Sequence, residues 1–320
     1  MSIRPYIVLP LALLAATNFP ARGFTGHGDA FIVQDERTEH PLALRFFLAA
    51  SEEGDSDAMF ELGRRYEKGR DGAPQDDEQA VFWYQKAAAL ENKYAMGGLG
   101  FMFEYGRGGL PQDFSEALKW YRKAASKDHG WATYRIGYFY ERGLGGLDQD
   151  NRKAVEWYQR GSALGNAAAM SSLGSLRENG LGGLSADDAL ALNWYRKAAT
   201  SDDWAMYRLG YFYLNGRGGL SEDEFKAFEW FKKSADAGNA SAMAHLGVMY
   251  RNGEAGLEPD DSVSFEWYQK AAEAGNDWAM RRVGKTYMHR ANRASRLTTT
   301  KRSIGSTRPR RRVTPMRCPI

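Results

Sequence analysis

The sequence predicts an all-α fold, an α/α solenoid of stacked helix-turn-helix units, and three observations lead there. The pair Leu-Gly, or a close variant, recurs as Leu62-Gly63, Leu99-Gly100, Ile136-Gly137, Leu173-Gly174, Leu209-Gly210, Leu246-Gly247 and Val283-Gly284, at intervals of 37, 37, 37, 36, 37 and 37 residues. A second anchor keeps the same beat: Trp83-Tyr84, Trp120-Tyr121, Trp157-Tyr158, Trp194-Tyr195, Trp230-Phe231 and Trp267-Tyr268. Within a unit such as 95–130, Ala95, Leu99 and Phe103 recur every four residues, and Phe114, Leu118 and Tyr121 every three or four. Each set marks one apolar helix face. A single helix pair cannot bury both faces, so neighbouring pairs must stack into a continuous core.

Each unit then divides into a helix A, a glycine-rich turn and a helix B. Gly100 and the pair Ala124-Ala125 are small enough to let the two backbones approach closely. The loops Gly106-Arg107-Gly108-Gly109, Gly143-Leu144-Gly145-Gly146, Gly180-Leu181-Gly182-Gly183 and Gly216-Arg217-Gly218-Gly219 read as tight turns at positive φ. No strand precedes them and no Gly-Lys-Ser/Thr ends them, so they are not phosphate loops. Asp76, Asp113, Asp150, Asp187, Asp223 and Asp260 each stand just before helix B, where a carboxylate caps the unpaired amides of the first turn. Asp76 with Gln79 and Asp113 with Glu116 match the capping-box spacing. The Trp-Tyr pairs read as core between units, with Lys86, Lys123, Lys197 and Lys270 laying their stems on aromatic surface. The pattern gives a half unit over about 41–56, six full units over 58–277 and a lone helix A from 278 to about 289. Phe46-Phe47 falls one period before the first Trp-Tyr pair.

The ends of the chain differ from this body. Of the 43 Lys and Arg, ten lie in residues 289–320, and Arg4 and Arg22 lie near the start. None of the 40 Asp and Glu falls in either segment, so residues 24–288 carry a net charge of −9. Arg4, the apolar run Tyr6 to Ala16, and the small residues Ala21 and Gly23 follow the order of a secretory signal peptide, 1–23. The run is about half the ~20 residues of a membrane span, so cleavage is expected rather than anchoring. An ordinary apolar first helix is the alternative. Residues 24–40 read as a linker. Residues 290–320 are rich in Arg, Ser, Thr and Pro, a composition that predicts disorder. This basic tail either contacts anionic surfaces or marks a frameshifted gene end. Cys318 is the only cysteine, so no intramolecular disulfide framework exists.

The composite unit reads A-M-x-x-L-G-x-x-Y-x-x-G-x-G-G-L-x-x-D-x-x-x-A-x-x-W-Y-x-K-A-A-x-x-G over residues 41–289. It resembles the Sel-1-like repeat, a relative of the tetratricopeptide repeat. The resemblance implies a right-handed superhelix with helix A lining the concave side, and a role as adaptor or scaffold. It also implies export to the periplasm or outside in a bacterium, or to the endoplasmic reticulum lumen in a eukaryote. A cysteine-rich branch of that family binds penicillin-like compounds, but its disulfide-bonded pairs are missing here.

For function the sequence predicts binding of a partner protein or peptide rather than catalysis. It shows no H-E-x-x-H, G-x-S-x-G or C-x-x-C motif and no dinucleotide fingerprint, so no cofactor or metal is expected and no catalytic residue is assigned. The informative positions are those of helix A turned away from helix B: Arg64, Phe101, Tyr105, Tyr134, Arg135, Tyr138, Arg142, Tyr207, Arg208, Tyr211 and His245. Tyr and Arg dominate this stripe, and both are enriched among binding hot spots. Exposed aromatics also stack on sugar rings, so a polysaccharide-binding or export-assisting module is the alternative. Units three and five nearly repeat each other, WATYRIGYFY against WAMYRLGYFY, which suggests duplication of a two-unit module.

Overall fold

The computed structural model describes residues 41–288. The expected signal peptide, linker and basic tail, and residue 289, lie outside the described residues. All described secondary structure is helical. A lone B-type helix, α1 (Leu42–Glu52), opens the array. The A helices are α2 (Ser56–Lys68), α4 (Lys93–Tyr105), α6 (Gly130–Arg142), α8 (Ala167–Asn179), α10 (Asp203–Leu214) and α12 (Ala240–Asn252). Their B partners are α3 (Asp77–Ala89), α5 (Phe114–Ala125), α7 (Asn151–Ala163), α9 (Asp188–Ala198), α11 (Glu224–Asp236) and α13 (Asp261–Glu273). A last A helix, α14, covers residues 277–288 without a B partner among the described residues. The described helices thus form a half unit, six A-B units and a lone A helix.

The helix boundaries follow from their caps. All six predicted aspartates accept a hydrogen bond from a backbone N–H in the first turn of helix B. Most A helices are capped by an amide or carboxylate side chain, and α6 by His129, whose Nδ1 accepts from the Ala132 N–H at 3.3 Å. That bond needs an unprotonated nitrogen, and burial pushes the His129 pKa down to about 4. The reciprocal half of the capping boxes is a correction. The Asp113 N–H donates to the Phe103 carbonyl at 2.9 Å, and the Glu116 carboxylate takes Lys119 instead. The Asp76 N–H likewise donates to the Tyr66 carbonyl, and this ten-residue closure recurs in all six units. The cap amide is therefore already spent on folding helix B back onto helix A.

Packing within a unit centres on one pair. The tyrosine of each Trp-Tyr pair is fully buried, as is Phe231 in its place. Its ring lies against the glycine of the Leu-Gly pair: a Cβ added at Gly137 would sit 2.6 Å from Tyr158 Cδ1 and Cε1. The tryptophans are only half-buried, a correction to their reading as core. Four of them lie under the expected lysines, with Lys123 Nζ 4.1 Å above Trp120 and Lys270 Nζ 4.5 Å above Trp267, and Trp157 lies under Arg160. The second glycine of each of the four Gly-x-Gly-Gly loops seals neighbouring units: a Cβ at Gly145, where φ is +66°, would meet the Phe114 carbonyl at 2.8 Å. Helices A and B of one unit pack most extensively, each B helix packs on the next A helix, and α2 with α4 and α6 with α8 also touch. The A helices thus form the more closely spaced side of the stack.

Gly137→Ala should lower stability by about 1–3 kcal/mol, because the tyrosine ring cannot yield. Gly284 occupies the same motif position in α14, and a Cβ added there would meet nothing within 4 Å among the described residues outside its own helix backbone. Gly284→Ala should therefore be neutral or stabilising by up to about 1 kcal/mol. Urea unfolding of both variants checks the contrast, and equal destabilisation would refute the account of the ring contact.

Candidate functional site

A hydrogen bond that the repeat pattern did not reveal organises the A side. In four units the buried tyrosine of helix B donates to a glutamate seventeen residues earlier, in the last turn of helix A. Tyr84 reaches Glu67 at 2.6 Å, Tyr121 reaches Glu104 at 2.7 Å, Tyr158 reaches Glu141 at 2.6 Å and Tyr195 reaches Glu178 at 2.8 Å. In unit five both partners are replaced together, by Phe231 and Leu214. In unit six Arg251 holds the glutamate position, and the buried Tyr268 hydroxyl has no carboxylate to donate to among the described residues. Burial first, and the facing carboxylate second, push the pKa of these four tyrosines well above the ordinary value.

A carboxylate at the edge of the core is stabilised by a cation, and for Glu104 and Glu178 the following unit supplies it. Arg135 of α6 is ion-paired with Glu104 of α4, and Arg208 of α10 with Glu178 of α8. The loop arginines add to this. Arg217 binds Glu178 at 2.6 Å and holds Asp188 through two nitrogens at 2.7 and 2.9 Å, while Arg107 holds Asp77 in the same way.

These pairings correct the placement of several residues expected to point freely into a groove. Arg135 is 8% exposed and locked to Glu104. Arg208 is likewise engaged by Glu178. Tyr207 is buried, with Phe231 at 5.8 Å and His245 at 5.4 Å between ring centres. His245 stacks on Phe231 at 5.0 Å, its Nδ1 lies 3.0 Å from the Ser241 carbonyl, and burial lowers its pKa. These residues sit on the seams between neighbouring units rather than on open surface. Tyr134 also turns back, stacking on Tyr158 at 5.7 Å.

The others remain accessible. Arg64 is exposed and paired with Glu61 at 3.0 Å. Phe101 and Tyr105 stand 4.7 Å apart, with Tyr105 53% exposed. Tyr134, Tyr138 and Arg142 line one cavity of about 270 Å³ with Glu141, Ser171, Ser172, Ser175, Asp202 and Trp204. Arg208 and Tyr211 line a second, of about 280 Å³, with Glu178, Trp204 and Arg217. Ser175 and Trp204 border both. Three successive A helices, α6, α8 and α10, supply most of these walls. Sequence reasoning missed Glu141, Glu178, the serines and Arg217; the paired change at Leu214 and Phe231 was the available signal for the two glutamates.

The matching family model is the Sel1 repeat, found six times, over residues 56–92, 93–129, 132–166, 167–203, 205–239 and 240–276. The chain belongs to the Sel1 repeat family. A Sel1 repeat protein from Oxalobacter formigenes is 34% identical, with a TM-score of 0.64 over 72% of this chain and 93% of that one. A protective antigen of uropathogenic Escherichia coli strains, displaying an SLR fold, is also 34% identical, with a TM-score of 0.55 over 77% of this chain and 51% of that one. An immunity protein from Pseudomonas aeruginosa, 19% identical with a TM-score of 0.50 over 69% of this chain and 82% of that one, shares the fold. No curated protein matches significantly. Sel1 repeat proteins generally mediate protein-protein interactions, and the family is typically a non-enzymatic scaffold.

Arg135→Ala should cost about 3–5 kcal/mol, because it strands a buried carboxylate. Arg64→Ala, at an exposed pair, should stay within about 0.5 kcal/mol. Denaturant midpoints decide between these, and a mild effect at Arg135 would show that Glu104 does not need its partner. Above about pH 10 the unfolded chain gives up phenolic protons that the folded chain retains, so stability should fall as pH rises. Tyrosinate absorbance should then appear together with loss of helix; ionisation of all tyrosines before unfolding would contradict the buried pairing.

Proposed function

We propose that this Sel1 repeat protein is a non-enzymatic scaffold that holds a partner protein or peptide on the A-helix side of units two to five. The observation that carries the reading is the pair of adjoining cavities on α6, α8 and α10, bordered by Trp204 at 42% exposure. Tyr105 and Phe101 extend aromatic surface onto α4. Accessible aromatic side chains beside concavities supply large contact area at low entropic cost, as interface anchors do. The net charge of −9 over residues 24–288 favours a partner with basic character. Export is proposed with this role. Its support is the signal-like order of residues 1–23 and the description of the E. coli relative as a protective antigen, a label that suits a protein met from outside the cell.

Affinity capture from the native host should recover a specific protein with the wild-type chain and lose it, by about tenfold or more, with Tyr105→Ala combined with Trp204→Ala. Both side chains are accessible, so helical content should be unchanged. Alanines at Arg135 or Arg208 would be poor probes, since those arginines hold the stack together. Capture unaffected by the double variant would move the binding surface elsewhere, and elution by soluble glycans rather than by peptides would replace a protein partner with a polysaccharide.

A further inference from the structure

Glu141 stands apart from the other glutamates bonded to a buried tyrosine. Glu67 pairs with Lys68 at 2.8 Å, Glu104 with Arg135, and Glu178 with Arg208 and Arg217. Glu141 accepts from Tyr158 through Oε2 and has no ion pair among the described residues. The reason lies in unit four. Ser172 occupies the position that Arg135 and Arg208 occupy in units three and five, and Leu181 occupies the loop position of Arg107 and Arg217. Both internal sources of the cation are missing together.

What replaces them is space. Ala168, Ser171, Ser172 and Ser175 of α8 are small, and between them and the neighbouring A helices lies the cavity of about 270 Å³. Its walls combine the Glu141 carboxylate, the aromatic rings of Tyr134, Tyr138 and Trp204, and the Asp202 carboxylate, which caps α10 by accepting from the Ala205 N–H at 2.7 Å. Among the described residues Arg142 is the one cation on the lining. It is exposed, lies 5.7 Å from the Tyr138 ring and makes no ion pair with Glu141. The volume falls just below the roughly 300–1,000 Å³ of whole-ligand sites, which suits one inserted side chain.

We propose that this cavity takes an arginine side chain of the partner polypeptide, its guanidinium meeting Glu141 as Arg135 meets Glu104 and Arg208 meets Glu178. The partner completes, from outside, an ion pair that the chain makes from within at the units on either side. A guanidinium fits better than an ammonium: it pairs with carboxylates through a planar fork and stacks on aromatic faces, and Arg135 already lies 4.4 Å from the Tyr138 ring. The proposal rests on the scaffold reading for the identity of its ligand as a polypeptide, but not for the chemistry of the cavity.

The test uses the full chain with N-acetyl-arginine methylamide as probe and the neutral N-acetyl-citrulline methylamide as control, read by the indole N–H resonance of Trp204, assigned with Trp204→Phe. The arginine probe should shift that resonance saturably, the citrulline probe should bind at least about tenfold more weakly, and Glu141→Gln should weaken arginine binding by about tenfold or more. Ser172→Arg should fill the cavity from within, abolish probe binding and raise the unfolding midpoint, which guards against a variant that merely misfolds. No Trp204 shift with arginine, equal binding of both probes, or undiminished binding in folded Ser172→Arg would each overturn the proposal. Failure here while capture still depends on Tyr105 and Trp204 would leave the scaffold reading standing. Arginine-selective binding without A-side-dependent capture would keep the cavity and remove the scaffold reading.

Discussion

In each unit a ring from helix B lies against the bare Cα of a glycine on helix A, and the separation of the two helices follows from that contact. The glycine brings the backbones close, and in the first four units the tyrosine hydroxyl reaches across the pair to the last turn of helix A. The ring supplies apolar burial and the hydroxyl supplies direction, because a buried phenol must find an acceptor or pay about 1–3 kcal/mol. Where the acceptor changes to Leu214, the hydroxyl disappears with it at Phe231, which is how a packed interior responds to losing one half of a polar pair.

That intra-unit bond sets a second requirement between units. A glutamate held beside the core is stabilised by a cation, and for Glu104 and Glu178 the positions that provide one lie on the following A helix and its loop. Arg135 and Arg208 meet the requirement some thirty residues downstream of their glutamates, so neighbouring units are tied by charge as well as by apolar contact. The approximate two-unit period of the sequence thereby acquires a physical meaning: arginines stand at this position in units three and five, and shorter or neutral side chains, Gly98, Ser172 and His245, in units two, four and six. The surface on the A side is what remains after these internal demands are satisfied, which explains why half of the apparent groove stripe is occupied by structural partners.

The legible features were those that repeat at the same place in every unit. The Leu-Gly and Trp-Tyr registers, the loop glycines and the six capping aspartates each depend on local geometry that is identical wherever the motif occurs, so one reading served for all six units. The glutamate-tyrosine bond recurs in only four of the six units, and Glu104 or Glu178 near a helix end resembles an ordinary solvated charge until the partner ring is placed beside it. The misplaced residues failed for a related reason. Helical register alone sends Arg135 and His245 away from helix B, yet the position before the Leu-Gly pair faces the seam between units, and a long or flat side chain there turns inward. The accessible members, Tyr105, Tyr138 and Arg142, lie further along the helix, clear of that seam.

By itself the sequence determined the repeat length, the order of helices, the caps that begin and end them, and the family, since all of these are encoded within one unit of about 37 residues and reinforced by repetition. Only the tertiary structure decided which carboxylate has a cation and which does not. That question joins Glu141 to Ser172 and Leu181, thirty to forty residues away on a different unit, and whether those positions meet depends on how the units stack. Distance along a solenoid is local in sequence for packing but non-local for charge, and the cavity between units three and four is the consequence.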